Sequence, residues 1–263
     1  VYTNEAKSGN IGSSKTVTLK VEGESTTSDE TDSSGAFSFS SVSVDPDDTV
    51  LLYIDDETED GSLVTTVLDG DTNITGLDMY TSKIVLRHEA ASSLTNTNLD
   101  VIDGVDGGNE DGITVSGGNA VFADGFEVWV ESGFEYNLAG TVTADDMEVK
   151  GTLAANGYAV TISGDFTLSA SGEYRTEGSS QTLTFDGSSK QVFSTGGTDS
   201  THNFGTIVHS GSAELEMDSS YGLVAGATIT NSGSGDFDTQ GVYITASGIS
   251  VTDGTFNTDA RGG

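Results

Sequence analysis

Apolar and polar residues alternate with a period of two through most of this chain. Val17-Thr18-Leu19-Lys20-Val21, Phe37-Ser38-Phe39, Val42-Ser43-Val44 and Phe126-Glu127-Val128-Trp129-Val130 are runs of this kind, separated by clusters of Gly, Asn, Asp and Ser. At this period successive side chains fall on opposite faces of an extended strand, one face for a core and the other for water. A helical period is almost absent, and the one proline, Pro46, lies in an Asp45-Pro46-Asp47-Asp48 turn. The pattern predicts an all-β protein.

In the second half the alternating runs recur. Val160/Ile162 and Leu183/Phe185, then Ile207, Ile229 and Val251, return in steps of 23, 22, 22 and 22 residues counted from Ile162. A second series is Leu168, Val192, Met217, Phe237 and Phe256, with Gly164, Gly187, Gly211 and Gly233 where the chain must turn. Such a period predicts a parallel β-helix, a solenoid in which no coil buries its own apolar face and each stacked neighbour supplies the missing core. Strands would stack in register, with Val, Ile, Leu and Phe as inward ladders and Thr, Ser and Asp facing water. Asn156-Gly157 and Gly164-Asp165 suit the corners. Residues 113–263 would make about seven coils, a rod of about 33 Å.

Residues 1–88 read differently. Turn signals at Glu22-Gly23, Asp32 to Gly35, Asp45 to Asp48, Asp60-Gly61 and Asp69-Gly70 fit an Ig-like antiparallel β-sandwich of about seven strands. Residues 89–112 form an acidic junction between the two parts.

Two stretches resemble known families. Thr31-Asp32-Ser33-Ser34-Gly35-Ala36-Phe37-Ser38-Phe39 resembles the hairpin of carboxypeptidase-regulatory-like and collagen-adhesin B-type domains, and Val50-Leu51-Leu52-Tyr53-Ile54 resembles their following strand. That resemblance implies a non-catalytic stalk or spacer on an extracellular protein. Some such modules carry a Lys–Asn isopeptide crosslink; Lys20 sits on a suitable strand, but no matching asparagine motif accompanies it. Val85-Leu86-Arg87-His88-Glu89, an Asn-rich stretch and Glu127-Val128-Trp129-Val130 are similar to a junction in very large, repeat-containing bacterial surface proteins. The segment from Gly151 to Phe166, with Leu183-Thr184-Phe185-Asp186-Gly187, resembles the repeats of filamentous-haemagglutinin-like and autotransporter-like adhesins. It implies a β-helix on a bacterial surface protein, extracellular or at the cell surface.

Charge narrows the partners. The 263 residues hold 9 Lys and Arg against 42 Asp and Glu, a formal charge of −33, with the acids spread along the whole chain. Nucleic acid and anionic membranes need clustered Lys or Arg to displace counterions or meet lipid charge, so both are poor candidates as partners and no nucleic acid is expected. Divalent cations and cationic surfaces fit better, and the charge also keeps a strand-rich chain soluble. There is no cysteine, hence no disulfide and no thiolate metal site. No run of 18 apolar residues occurs and Val1-Tyr2-Thr3-Asn4 is no signal peptide, so membrane insertion is not expected and the chain reads as a mature form or an excised piece.

Candidate chemistry is sparse. Asp103, Asp106, Asn109, Glu110 and Asp111 lie on one glycine-rich loop and offer the hard oxygens that calcium requires, although an acidic linker has the same composition. Asp55 to Asp60 is a second, weaker candidate. Glu214 and Glu216 flank Leu215 on one strand face, as a carboxylate pair or as a solvated outer surface. His202 and His209 lack a third ligand at metal spacing and read as surface histidines. The solenoid half holds only Lys150, Arg175, Lys190 and Arg261 as bases, none beside an obvious acid cluster, so no catalytic residue is predicted.

After Ile249-Ser250-Val251 the sequence shows no polar cap, and Val1-Tyr2-Thr3 is already strand-like. A bare last coil exposes apolar rungs and unpaired edges. The expectation is therefore a non-enzymatic structural protein that assembles head to tail with copies of itself into an extracellular filament, sheath or surface layer. Two alternatives remain: a stalk segment of a longer adhesin with a surface glycan or protein as receptor, and a carbohydrate-active β-helix enzyme.

Overall fold

The computed structural model describes residues 1–55, 58–70, 73–103, 111–176 and 181–258. It is all-β apart from one short helix, and among the described residues no helix is long and apolar enough to cross a membrane. The N-terminal elements are β1 (Thr16–Val21), β2 (Thr27–Glu30), β3 (Thr49–Ile54), β4 (Ser62–Thr66), β5 (Lys83–Leu86), β6 (Leu94–Thr95), α1 (Asn96–Ile102), β7 (Ile113–Ser116) and β8 (Asn119–Phe122). From β5 onwards the chain winds as a parallel solenoid with three faces.

The first face runs from β5 through Glu127–Val130, Asp146–Val149, Phe166–Leu168, Gln191–Ser194, Leu215–Met217 and Phe237–Asp238 to Phe256–Asn257. The second runs from β8 through Val142–Ala144, Val160–Ile162, Thr182–Phe185, Thr206–His209 and Thr228–Asn231 to Gly248–Val251. The third starts at β6 and continues through Glu135–Asn137, Thr152–Ala154 and Glu173–Arg175. A Tyr174–His202 bridge then leads into Asn203–Phe204, Leu223–Ala225 and Ile244–Thr245. The solenoid has about eight turns, where the spacing predicts seven; β5 and β6 supply the extra one ahead of residue 113.

Parallel pairing also corrects the repeat. Leu183 pairs with Ile207 and Phe185 with His209; Ile229 pairs with Ile249 and Asn231 with Val251. The apolar series in the sequence joins Phe185 to Ile207 and Ile229 to Val251, a slip of two residues. Such a slip keeps every side chain on the same face, so alternation alone does not reveal it. What hid the register is that two inward positions are polar, His209 and Asn231, both fully buried. On the first face Phe193, not Val192, is inward and stacks between Phe166 and Met217.

The N-terminal end of the stack is closed. Thr95 caps α1, its hydroxyl accepting from Asn98 N while the Asn98 side chain accepts from Thr95 N. Leu99 and Ile102, three residues apart on one helix face, are buried with Leu86, Leu94, Val130 and Tyr136 in the solenoid core. Buried Asn96 donates through Nδ2 to Gly118 O (3.1 Å) and Thr141 O (3.3 Å), and through Oδ1 accepts from Tyr136 Oη (3.2 Å) and Ala139 N (3.1 Å). One amide thereby satisfies the backbone where helix, hairpin and first coils meet. The β7–β8 hairpin is antiparallel and ends the parallel run of the second face.

The first-face sheet does not stop at β5. It continues through β4, β3, β1 and β2, an antiparallel group in which β2 connects across β1 to β3, joined by the parallel β4–β5 pair, to make twelve strands among the described residues. β3 is buried on both sides: Leu51 and Tyr53 enter the solenoid core, and Val50, Leu52 and Ile54 enter a second core. Val17, Leu19, Val21, Leu63, Met79, Tyr80, Val85 and Trp129 join them there, with Val1, Ile11 and Val67. Phe37, Phe39, Val42 and Val44 lie half-buried over it with serines outward, so the alternation in residues 37–44 is real burial. Among the described residues, however, that stretch is not paired into a second sheet, and the predicted Ig-like sandwich is not confirmed.

Candidate functional site

Of the five predicted calcium ligands, Asp106, Asn109 and Glu110 lie outside the described residues. Asp103 follows α1 directly and its Oδ2 accepts from Val115 N (3.1 Å); Asp111 is buried and its Oδ1 accepts from Ile113 N (2.9 Å). Both carboxylates tie the helix end and the hairpin to their own backbone. Of the second acidic stretch, Asp56 and Glu57 lie outside the described residues, while Asp55 accepts from Thr18 Oγ1 (2.7 Å).

Arg261 lies outside the described residues, but Lys150, Arg175 and Lys190 stand beside acids after all, because parallel stacking brings together residues from different coils. Lys190 lies 2.6 Å from Glu216 Oε2 and 3.3 Å from Glu214 Oε1. Glu216 is the register partner of Asp238, and the three carboxylates converge to within 4.8 Å. Half-exposed Lys190 pairs with Glu214 and Glu216 at the surface and offsets part of the group's charge, while Asp238 lies buried beneath them. Lys150 bridges Glu148 (3.1 Å) and Glu5 (2.9 Å), tying the first residues of the chain to the solenoid.

Arg175 joins two coils at the mouth of a groove. Glu135, Thr152 and Glu173 are register partners on consecutive strands of the third face. Arg175 Nη1 lies 2.9 Å from Glu135 Oε2, and its Nη2 lies 3.1 Å from Glu173 Oε2. The groove, of about 500 Å³, follows from unequal turns between the first and third faces. The outer two of three consecutive turns are residues 131–134 and 169–172, four residues each, whereas the middle turn is only Lys150-Gly151. A Cβ on Gly151 would overlap the carbonyl oxygens of Glu131 and Phe134, so the tight turn requires glycine. Ser132, Gly133 and Phe134 form one wall, Ala170, Ser171 and Gly172 the other, with Lys150 to Thr152 as the floor.

Both solenoid histidines are interior, contrary to the surface reading, because each occupies an inward ladder position. His202 is 3 % exposed and its Nδ1 lies 2.6 Å from Asp199 Oδ1. The Thr201 hydroxyl and then His202 push the exposed Asp199 carboxyl down to about 2. His209 is fully buried with Nδ1 2.8 Å from Asn231 Oδ1; Asn231 Nδ2 in turn donates to Gly235 O (3.1 Å) and Thr255 O (2.8 Å). Burial holds the His209 pKa below its ordinary value, against the opposing effect of the hydrogen bond that Asn231 Oδ1 accepts. The Asn231 amide bonds backbone of its own and the next coil, and each imidazole bonds a neighbouring side chain, which is a structural role.

Comparison with protein-family models, with curated proteins and with solved structures finds no match in any of the three.

Proposed function

We propose that the chain is a non-enzymatic structural rod of a cell-surface or extracellular assembly, a stalk segment built of stacked parallel β-coil. The observation that carries this reading is the contrast between the two ends. At the N-terminal end α1 and the β7–β8 hairpin cover the core, with Leu99 and Ile102 fully buried. At the other end Ile249 and Val251, which continue inward ladders, are 51 % and 46 % exposed, and Tyr243 is 74 % exposed. The resemblance to adhesin repeats supports the surface setting.

A head-to-tail homopolymer is the reading this geometry favours less. The three edges of the last coil lie at one level, but at the other end the first face overhangs by four strands, about 19 Å beyond β5. Its outermost strand, Thr27-Ser28-Asp29-Glu30, is exposed and acidic, which discourages edge pairing. An enzyme reading gains no support from the surface carboxylates, since Glu135, Glu173, Glu214 and Glu216 are all ion-paired to a base. Calcium forms no part of the proposal, because Asp103 and Asp111 serve the backbone.

Solution mass tests the reading. Among the described residues one end of the stack exposes its apolar rung, which permits tail-to-tail pairing and nothing further. Light scattering at about 0.3 M salt, which screens the charge to within a few ångströms, should show concentration-dependent association that stops at dimers and disappears in Ile249→Lys. Open-ended polymers would instead establish the filament. A wild-type monomer at every concentration would show that the rung does not stack.

A further inference from the structure

We propose that the groove between the 131–134 and 169–172 turns binds a neutral saccharide of one or two sugar units. The proposal does not depend on how the rod is extended; it gives the rod's side a ligand.

Size and shape come first. A notch of about 500 Å³, open along one side and bounded by two four-residue turns, accommodates one or two pyranose rings. The glycines and alanine on its walls let a ring approach the backbone closely and offer small apolar surfaces to its C–H faces.

The charge of the groove selects the ligand class. The chain carries −33, which repels anions. Within the groove the acids and bases are paired: Glu135 and Glu173 share Arg175, and Lys150 is held by Glu148 and Glu5. A cation would have to displace a guanidinium bonded to two carboxylates. What remains is a dense set of hydrogen-bonding groups with no base left free to hold an anion: the Ser132, Thr152 and Ser171 hydroxyls, and carboxylate oxygens that accept more than one bond each. Thr152 Oγ1 already approaches Glu173 Oε2 at 3.5 Å, and Ser93 Oγ donates to Glu135 Oε1 at 3.1 Å. Vicinal hydroxyls, each donor and acceptor, match this set.

A peptide fits less well. Strand addition needs an open edge, and Thr152–Ala154 is paired on both sides, to Glu135–Asn137 and to Glu173–Arg175. A flat apolar ligand would find only small side chains and Phe134 to cover, and Phe134 is already occupied by Arg87 (4.7 Å from the ring centre) and His88 (5.4 Å).

The test is an amide NMR titration of the whole chain with glucose, galactose, N-acetylglucosamine, cellobiose, lactose and N,N′-diacetylchitobiose, with glucuronate as the anionic control. At least one neutral sugar should give saturable shifts centred on Gly133, Gly151, Thr152 and Gly172, with glucuronate at least about tenfold weaker. Ser171→Trp fills the groove from an exposed position and should weaken binding at least about tenfold. Ser132→Trp does the same from the opposite wall, should either variant fold poorly. No saturable shift with any of the six sugars, shifts centred elsewhere, or binding unchanged in both variants would overturn the proposal.

Discussion

Replacing Trp129 by alanine should destabilise the entire chain by about 3–5 kcal/mol, the usual cost of deleting a large buried aromatic side chain. Trp129 is 5 % exposed and points away from the solenoid axis, between inward Val128 and Val130, into the second core. Its ring lies 5.1 Å from Tyr80, with Lys83 Nζ 4.0 Å and Lys150 Nζ 3.7 Å from its centre. The two lysines are fixed in turn by Glu127, Glu148 and Glu5. One side chain therefore joins the N-terminal layer to the outside of the first face. Far-UV circular dichroism should show one thermal transition in the parent chain and a midpoint lower by roughly 10 °C in the variant. Two separate transitions in the parent, only one of them moved by the substitution, would mean that the layer and the solenoid unfold independently.

Asn231→Leu should cost about 2–4 kcal/mol, although it exchanges one interior side chain for another of similar size. Its amide bonds His209, Gly235 O and Thr255 O, and the leucine would leave an imidazole N–H and two carbonyl oxygens buried without that partner. The same pair makes stability depend on pH. Asn231 uses Nδ2 as donor to two carbonyls, which assigns its Oδ1 as acceptor and His209 Nδ1 as the protonated nitrogen of a neutral ring. With the folded pKa depressed below 6.5, the unfolded chain takes up a proton before the folded one does. This contribution is therefore complete above pH 6.5 and shrinks as pH falls below it, until the folded imidazole itself titrates. The slope is at most about 1.4 kcal/mol per pH unit. Glu131, Asp146 and Glu148, raised above their ordinary values by burial, act in the opposite sense at lower pH, stabilising the fold as they take up protons. Denaturant melts between pH 7.5 and 5.5 should show the His209 dependence in the parent chain and its loss in His209→Gln.

Much of the solenoid is legible in the sequence because its signal is additive: alternation marks the strands, recurrence marks the coils, and Gly marks the corners. Register is not legible in the same way. Period-two alternation leaves slips of two residues degenerate, and His209 and Asn231 removed the apolar markers that would have fixed the pairing of Phe185 and Val251. The cap helix was written in the chain as Thr95 with Asn98 three residues on, followed by Leu99 and Ile102. Seven residues are too few to stand out against long β runs. Residues 37–44 carried a true burial pattern, yet alternation reports only which side chains turn inward and not whether the backbone finds a partner. The groove depends on one turn being two residues shorter than its neighbours, a difference that becomes meaningful only once strand ends are known. The ion pairs of Arg175 with Glu135 and of Lys190 with Glu216 depend on the same register, since these partners lie one or two coils away, up to 40 residues along the chain.

The most direct test of a rod closed at one end and open at the other is residue-resolved amide hydrogen exchange in the native chain. Protection should be high from β5 through the strand Thr206–His209, including the hydrogen bonds around α1, and should fall rung by rung to a minimum in Gly248–Val251 and Phe256–Asn257. A last rung as well protected as the middle of the stack, or a first coil that exchanges as fast as the last, would contradict that arrangement.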